Sequence, residues 1–70
     1  MFMVFGENFR KLRQEVNLSQ KEVAEKLGIY QSNVSDWEND VSRPEYEKLI
    51  QLAKLYCCSI AELLGVEENY

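Results

Sequence analysis

The sequence contains no histidine, and its two cysteines, Cys57 and Cys58, are neighbours. Adjacent cysteines rarely reach the geometry of a disulfide without strain, so we expect two reduced thiols. Without histidine or a second cysteine pair, the sequence also has too few ligands for a zinc site. No nucleophile with a neighbouring base and no glycine-rich phosphate loop is present, so we expect neither enzymatic activity nor a metal or cofactor.

Long apolar runs are also missing. No stretch approaches the roughly 18 consecutive apolar residues of a membrane-spanning helix. The opening MFMVF is too short for a signal peptide and lacks the basic flank. We therefore expect a cytoplasmic protein with no membrane association. One proline and three glycines in a chain that is 46% hydrophobic are typical of a compact fold, and 70 residues allow a single small domain.

Positive charge is scarce, since 8 lysines and arginines stand against 12 aspartates and glutamates, for a net charge of −4. Such a balance argues against indiscriminate binding of polyanions. The acidic residues are concentrated in the second half of the chain, away from most of the basic ones. The first half of the chain could therefore contact an anionic partner despite the negative net charge.

Hydrophobic residues recur with helical periodicity along the chain, and no strand-like alternation appears, which predicts an all-α fold. Ser19 with Glu22, and Ser59 with Glu62, form two capping boxes that mark helix starts. The chain then divides into five short helices: about 6–16, from 20 to the turn at Gly28, about 31–39, from near Glu45 through Tyr56, and from Ser59 to Gly65.

The ends and buried faces of these helices follow from the same pattern. Asn17 suits the left-handed position that ends the first helix, and glycine serves that purpose after the second and fifth. Leu18 and Cys58 are expected to act as hydrophobic staples. The fourth helix is predicted to bury a face of Leu49, Ile50, Ala53 and Tyr56. The residues expected to be largely buried in the whole domain are Leu12, Val16, Val23, Leu27, Val34, Trp37, Leu49, Ala53 and Leu63.

The third helix has an outer face of unusual composition. Val34 and Trp37 share its other side by their i, i+3 spacing, which favours Trp37 as a core residue over a stacking platform. The outer face is polar but almost free of positive charge, whereas ordinary solvated helix faces are rich in lysine, glutamate and arginine. Short hydrogen-bonding side chains of this kind suit a reading surface. They are Gln31, Ser32, Ser35, Asp36 and Asn39.

Two short helices joined by a tight turn at Gly28 form a helix-turn-helix, in which the first helix braces the second. The stretch LSQKEVAEKLGIYQSNVSDWEN, the RP after it and AKLYCCSIAELL beyond resemble the lambda repressor and Cro type of helix-turn-helix domain, also called the xenobiotic-response-element type. The resemblance covers about residues 5–64. It implies one domain over 1–70, with an acidic tail at 65–70.

The resemblance also implies a function. Similar domains bind double-stranded DNA sequence-specifically as dimers, so we expect a homodimeric transcriptional regulator, in the first place a repressor. The side chains that would contact base edges in the major groove are Gln31, Ser32, Ser35 and Asp36. Those that would contact the DNA backbone are Gln20, Lys21, Tyr30, Asn39 and Arg43.

In similar domains the glutamine that opens the second helix supports the glutamine of the recognition helix, which here would be Gln20 supporting Gln31. Glu38 is expected to form a structural ion pair with Arg13. The fifth helix and the tail are the expected dimer surface. Its apolar residues are Ile60, Leu64, Val66 and Tyr70.

Four departures from the family pattern keep a second interpretation open. Tyr30 replaces the usual Ser or Thr cap, Asp40 and Cys57 replace residues that favour the left-handed conformation, and Asp36 stands where a cation or glutamine is common. The alternative is a protein-interaction or antitoxin-like module on the same fold. A positive rim around the third helix would favour DNA, whereas an exposed apolar or acidic patch there would favour a protein partner.

Overall fold

Five α-helices follow one another in residues 5–66, the part of the chain that the computed structural model describes. They are α1 (Gly6–Glu15), α2 (Gln20–Leu27), α3 (Gln31–Glu38), α4 (Tyr46–Leu55) and α5 (Ile60–Leu64). The predicted all-α architecture is confirmed, with Val16 and Asn39 as C-caps just beyond α1 and α3. Within the described residues, no helix has the length and apolar character needed to span a membrane.

Both predicted capping boxes are present. The Ser19 hydroxyl accepts a hydrogen bond from the Glu22 amide at 3.0 Å, and the Glu22 carboxylate accepts one from the Ser19 amide at 3.0 Å. Ser59 and Glu62 repeat both bonds at the start of α5. Each box satisfies amides that the first helical turn leaves without a partner, and loss of such a cap costs about 1 kcal/mol.

All five helices end in the same way. Each is followed by a residue with positive φ, and the amide after that residue donates to the carbonyl five positions earlier at 2.9–3.2 Å. This is the Schellman motif, which satisfies the free carbonyls of the last turn. The positive-φ residues are Asn17, Gly28, Asp40, Cys57 and Gly65.

The core lies where the inner faces of the helices meet. Its buried hydrophobic residues are Phe9, Val23, Ala24, Val34, Trp37, Leu52, Ala53, Tyr56 and Leu63. Five of the nine residues predicted to be largely buried are among them. The other four, Leu12, Val16, Leu27 and Leu49, are only half-buried and pack against this core.

The predicted face of α4 was wrong at one position. Ile50 is exposed, and Leu52, which the sequence analysis left out, is one of the most buried side chains. The buried stripe is Leu49, Leu52, Ala53 and Tyr56, with spacing i, i+3, i+4 and i+7, and Ile50 lies to the side of it.

The helix pair α2 and α3 packs together as the predicted helix-turn-helix, with α1 against α3 and α5 against α1 and α4. The start of α1 approaches the end of α3 so closely that a Cβ atom at Gly6 would overlap the carbonyl oxygen of Glu38. Glycine is therefore required there by space rather than by backbone conformation. This contact fixes the end of α3 relative to α1.

Candidate nucleic-acid interface

The two sides of α3 differ as its sequence predicts. Val34 and Trp37 are buried in the core, which confirms Trp37 as a structural residue. The predicted base-contacting side chains lie on the other side. Gln31 and Ser32 are exposed, and Ser35 and Asp36 are half-buried.

The start of α3 lacks a side-chain cap. Tyr30 occupies the N-cap position in an extended conformation, and within residues 5–66 its side chain makes no capping hydrogen bond. The ring is 80% exposed. A large, exposed phenol ring therefore precedes the first turn of α3, and the backbone amides of that turn have no serine or threonine hydroxyl to donate to.

The Glu38 carboxylate, at the end of α3, accepts hydrogen bonds from several side chains. Its side chain is only 1% exposed and accepts two hydrogen bonds from Arg13, at 2.6 and 3.0 Å. Burial acts to raise the pKa of Glu38, but hydrogen bonds from Arg13 and Gln20 outweigh it and hold that pKa below its ordinary value. The predicted ion pair is confirmed.

Gln20 has a different partner from the one predicted. Its Nε2 donates to Glu38 Oε1 at 3.0 Å, so this amide supports Glu38 rather than Gln31. The physical reason is the buried carboxylate, which needs several donors and lies within hydrogen-bonding distance of the first residue of α2. Lys21, the next residue, is exposed on the first turn of the same helix.

Arg10 belongs to the site and was missed by the sequence analysis. Its Nε lies 3.4 Å from Glu38 Oε1, and its Nη2 donates to Asn39 Oδ1 at 3.3 Å. Asn39 in turn donates to the Ser35 carbonyl at 2.9 Å. The sequence does contain a signal for this role of Arg10, because Arg10 precedes Arg13 by one helical turn and so lies on the same face of α1.

The segment after α3 is attached to the start of α1. Asp40 Oδ1 accepts hydrogen bonds from the amides of Phe5 and Gly6, at 3.1 and 3.0 Å. The Arg43 guanidinium lies over the Phe5 ring, 4.9 Å from its centroid. The predicted backbone contact Arg43 thus has a defined position, which the sequence analysis did not foresee.

The chemistry of this surface is hydrogen bonding with cations nearby. Gln31, Ser32 and Ser35 carry both donors and acceptors, while Lys21 and Arg43 are exposed cations on the elements before and after α3. Arg10 adds a side chain that is 42% exposed beside Asn39. In the described part of the chain, no cluster of three or more acidic, cysteine or histidine side chains could hold a metal ion.

Comparisons with known proteins identify relatives over most of the chain. Residues 9–63 match the family model described as helix-turn-helix. The chain is 39% identical over 66 residues to the HTH-type transcriptional regulator ImmR of Bacillus subtilis, covering 94% of this chain and 52% of ImmR. It is 35% identical to the cryptic phage CTXphi transcriptional repressor RstR of Vibrio cholerae, covering 94% of this chain and 60% of RstR. The chain thus spans little more than half the length of these curated relatives.

Two solved structures share the fold. The P22 c2 repressor protein, crystallised in complex with synthetic operator 9T, superposes with a TM-score of 0.84 at 27% identity, over 94% of this chain and 100% of that one. A transcriptional regulator from Listeria innocua superposes with a TM-score of 0.82 at 33% identity, over 94% of this chain and 62% of that one.

Proposed function

The chain belongs to the helix-turn-helix family, of the lambda repressor and Cro type, and from this we propose that it binds double-stranded DNA sequence-specifically and represses transcription. The observation that carries the proposal is the outer face of α3, which is polar, exposed at Gln31 and Ser32, and backed by buried Val34 and Trp37. A rigid helix with such a face fits the major groove, where base edges offer donors and acceptors. A protein of this kind would act in the cytoplasm, by binding rather than by catalysis.

The proposed base readers are Gln31, Ser32, Ser35 and Asp36. Glutamine can present a donor and an acceptor together to adenine, and serine can bond to several base edges. A carboxylate accepts from the amino group of cytosine, which gives Asp36 a specific target. The exposure of Gln31 and Ser32 at the first turn of α3 supports their role as the leading contacts.

The proposed phosphate contacts surround these readers. Lys21 and Arg43 supply positive charge, and Tyr30 and Asn39 supply hydrogen bonds at the two ends of α3. Gln20 uses one amide hydrogen on Glu38 and keeps a second donor that a phosphate can accept. Arg10, which already bonds Asn39, adds a cation that the resemblance alone does not assign.

The local charge supports DNA over a protein partner. Although the chain is acidic overall, the cations Lys21, Arg10 and Arg43 accompany α3, and the Asp40 carboxylate is turned toward two backbone amides. The exposed apolar side chains near α3, Tyr30 and Val41, are the features that favour a protein-interaction module instead. Binding-site selection decides between these two functions.

We infer that the functional unit on DNA is a homodimer. One small domain makes few phosphate contacts, so useful affinity requires two copies on half-sites about 34 Å apart, one helical turn. Ile60 and Val66 are partly exposed at either end of α5, and Leu64 is half-buried between them, which supports α5 as the contact surface. Tyr70, the remaining predicted contact, lies outside the described residues.

The experiment is selection of binding sites from random duplex DNA. The unaltered protein is expected to enrich a two-fold symmetric motif, and Gln31→Ala is expected to degrade one position in each half-site. Gln51→Ala, which removes an exposed glutamine from α4, is the matched control and should leave the motif unchanged. Failure of the unaltered protein to enrich any motif would favour the protein-interaction function. One protein chain per selected site in sedimentation would contradict the dimer.

A further inference from the structure

The loop between α3 and α4, residues 39–45, is held at one point by an unusual acceptor. Asp40 lies at φ +58°, where glycine is the favoured residue, yet its carboxylate accepts hydrogen bonds from the amides of Phe5 and Gly6. Phe5 is the N-cap residue of α1 and provides no side-chain cap of its own. Asp40 therefore caps α1 from a position 34–35 residues away in the sequence and ties this loop to it.

The same residue of α1 holds the loop at a second point. The Arg43 guanidinium lies over the Phe5 ring, and that ring stacks on buried Phe9 with centroids 6.3 Å apart. A guanidinium attracted to an aromatic face keeps N–H groups that can donate to a further acceptor. Among residues 5–66, no hydrogen bond or salt bridge engages the Arg43 guanidinium. A fixed cation with unused donors matches what a phosphate accepts.

We propose that Phe5 and Asp40 are positioning residues for Arg43, which they hold at the place where a DNA phosphate would meet it. This inference rests on the proposed function of the domain and goes beyond it, because neither residue is among the proposed DNA contacts. Asp40 holds the loop backbone in place by accepting hydrogen bonds from two amides at the start of α1. Phe5 holds the Arg43 guanidinium in place through the contact with its ring. The pair thereby converts a flexible surface arginine into a preorganised contact.

For removal of Asp40, preorganisation of Arg43 and simple electrostatics predict changes of opposite sign in DNA affinity. Removing a carboxylate near DNA reduces repulsion of phosphate and should tighten binding. Removing the Asp40 acceptor should release the loop, loosen Arg43 and weaken binding. Two substitutions separate these effects. Asp40→Asn keeps an acceptor oxygen and tolerates positive φ but loses the charge, whereas Asp40→Gly suits positive φ and loses both the charge and the acceptor.

The measurement is the affinity for the selected operator across a range of salt concentrations. Asp40→Asn is expected to bind at least as tightly as the unaltered protein. Asp40→Gly is expected to bind about three- to tenfold more weakly, with a salt slope smaller by about one per domain, the loss of one phosphate contact. A mere loss of stability would not change that slope. Equal affinities and slopes for the two variants would overturn the role of Asp40.

A second pair of variants tests the ring. Phe5→Leu keeps an apolar contact with Phe9 but removes the aromatic face, and Phe5→Tyr retains that face as the control. Phe5→Leu is expected to lower the salt slope as Arg43→Ala does, and combining the two should add nothing further. Full additivity would overturn the role of Phe5.

The proposed function and this inference fail in different ways. If the unaltered protein selects no DNA, the proposed function is wrong and the inference falls with it. If it selects a motif but Arg43→Ala leaves the salt slope unchanged, only the inference is wrong.

Discussion

Cys57 is the residue whose backbone conformation suits its side chain least. Within residues 5–66, three residues other than glycine have positive φ, and two of them, Asn17 and Asp40, are of the types that tolerate it best. Cys57, at φ +56°, has no short polar side chain that can bond locally in the same way. The left-handed conformation therefore costs about 1 kcal/mol there, at the end of α4.

Replacing Cys57 with glycine should stabilise the domain. Cys57→Gly relieves strain of about 1 kcal/mol but gives the unfolded chain more conformational entropy, worth about 0.4–1 kcal/mol, so the net gain is about 0.5 kcal/mol or less, at most about 2–4 °C in Tm. Cys57→Ala removes the sulfur and keeps the strain, so it is the control. Thermal unfolding followed by circular dichroism measures both. If the two variants unfold at the same temperature, the strain at this position is not significant.

Asp36 allows a second prediction at the residue scale. Its carboxylate is half-buried on the reading side of α3, where it can face either cytosine or a phosphate. Asp36→Asn should raise affinity for nonspecific DNA, which depends on phosphate electrostatics. It should also flatten the preference for a C·G pair at one position of each half-site. Titrations of the operator and of unrelated DNA measure the two effects. If neither changes, the prediction that α3 lies in the major groove is wrong.

Individual partners were the least predictable part of the candidate site. The exposure of Gln31 and Ser32 follows from the helical spacing of Val34 and Trp37, so it could be predicted locally. The bonds of Gln20 to Glu38 and of Asp40 to the start of α1 join segments 18 to 35 positions apart. Such contacts depend on how the helices pack, and nothing in the local sequence around either residue specifies them.

At the scale of helices, α1 and α3 pack so closely at Gly6 that a side chain has no room there, unlike at the other two glycines. Gly6 opens α1 directly against the Glu38 carbonyl. An added methyl group has no room unless the two helices move apart. Such a movement would disturb the Asp40 bonds and the Arg13–Glu38 pair at the same place.

Gly6→Ala should therefore destabilise the domain, although alanine normally improves a helix by about 1 kcal/mol. The comparison is Gly28→Ala, where a Cβ would meet nothing within 4 Å but φ is +68°. We expect a loss of about 1 kcal/mol at position 28 from backbone strain and a larger loss at position 6 from overlap. Urea titration of both variants measures the difference. A Gly6→Ala protein as stable as the parent would show that α1 can shift without cost.

Helix boundaries were predictable because their signals are local. Ser19, Ser59, Gly28 and Gly65 each act within one helical turn, and the structure places them as predicted. The error at Ile50 has the opposite origin. An Ile next to a Leu is compatible with two overlapping stripes, and only the position of α4 against the core and α5 decides between them.

For the molecule as a whole, the Glu38 carboxylate joins three helices through Arg10, Arg13 and Gln20. Because its pKa is lower in the folded than in the unfolded state, the folded state binds fewer protons in acid. This contribution to stability is complete at pH values above the pKa of a glutamate in the unfolded chain, about 4.3. It is lost as the pH falls through the lower pKa that Glu38 has in the folded state.

Glu38→Gln should lower stability at neutral pH by about 3–5 kcal/mol, since Arg13 then keeps a buried charge without its counterion. The same variant should lose less stability than the parent between neutral pH and acid. Glu22→Gln is the control, because the pKa of Glu22 is also lowered, by its hydrogen bonds to Ser19, but this carboxylate is fully exposed. Thermal unfolding across pH tests both. Parallel pH profiles for Glu38→Gln and the parent would show that Glu38 contributes little to the acid sensitivity.

The identical endings of the five helices have a consequence for how fast the domain forms. Each helix contains its own stop signal, and the connections between helices are only three to seven residues long. Helical domains with mostly local contacts fold on timescales of about microseconds to milliseconds. We therefore expect the domain to refold within about milliseconds when denaturant is diluted out.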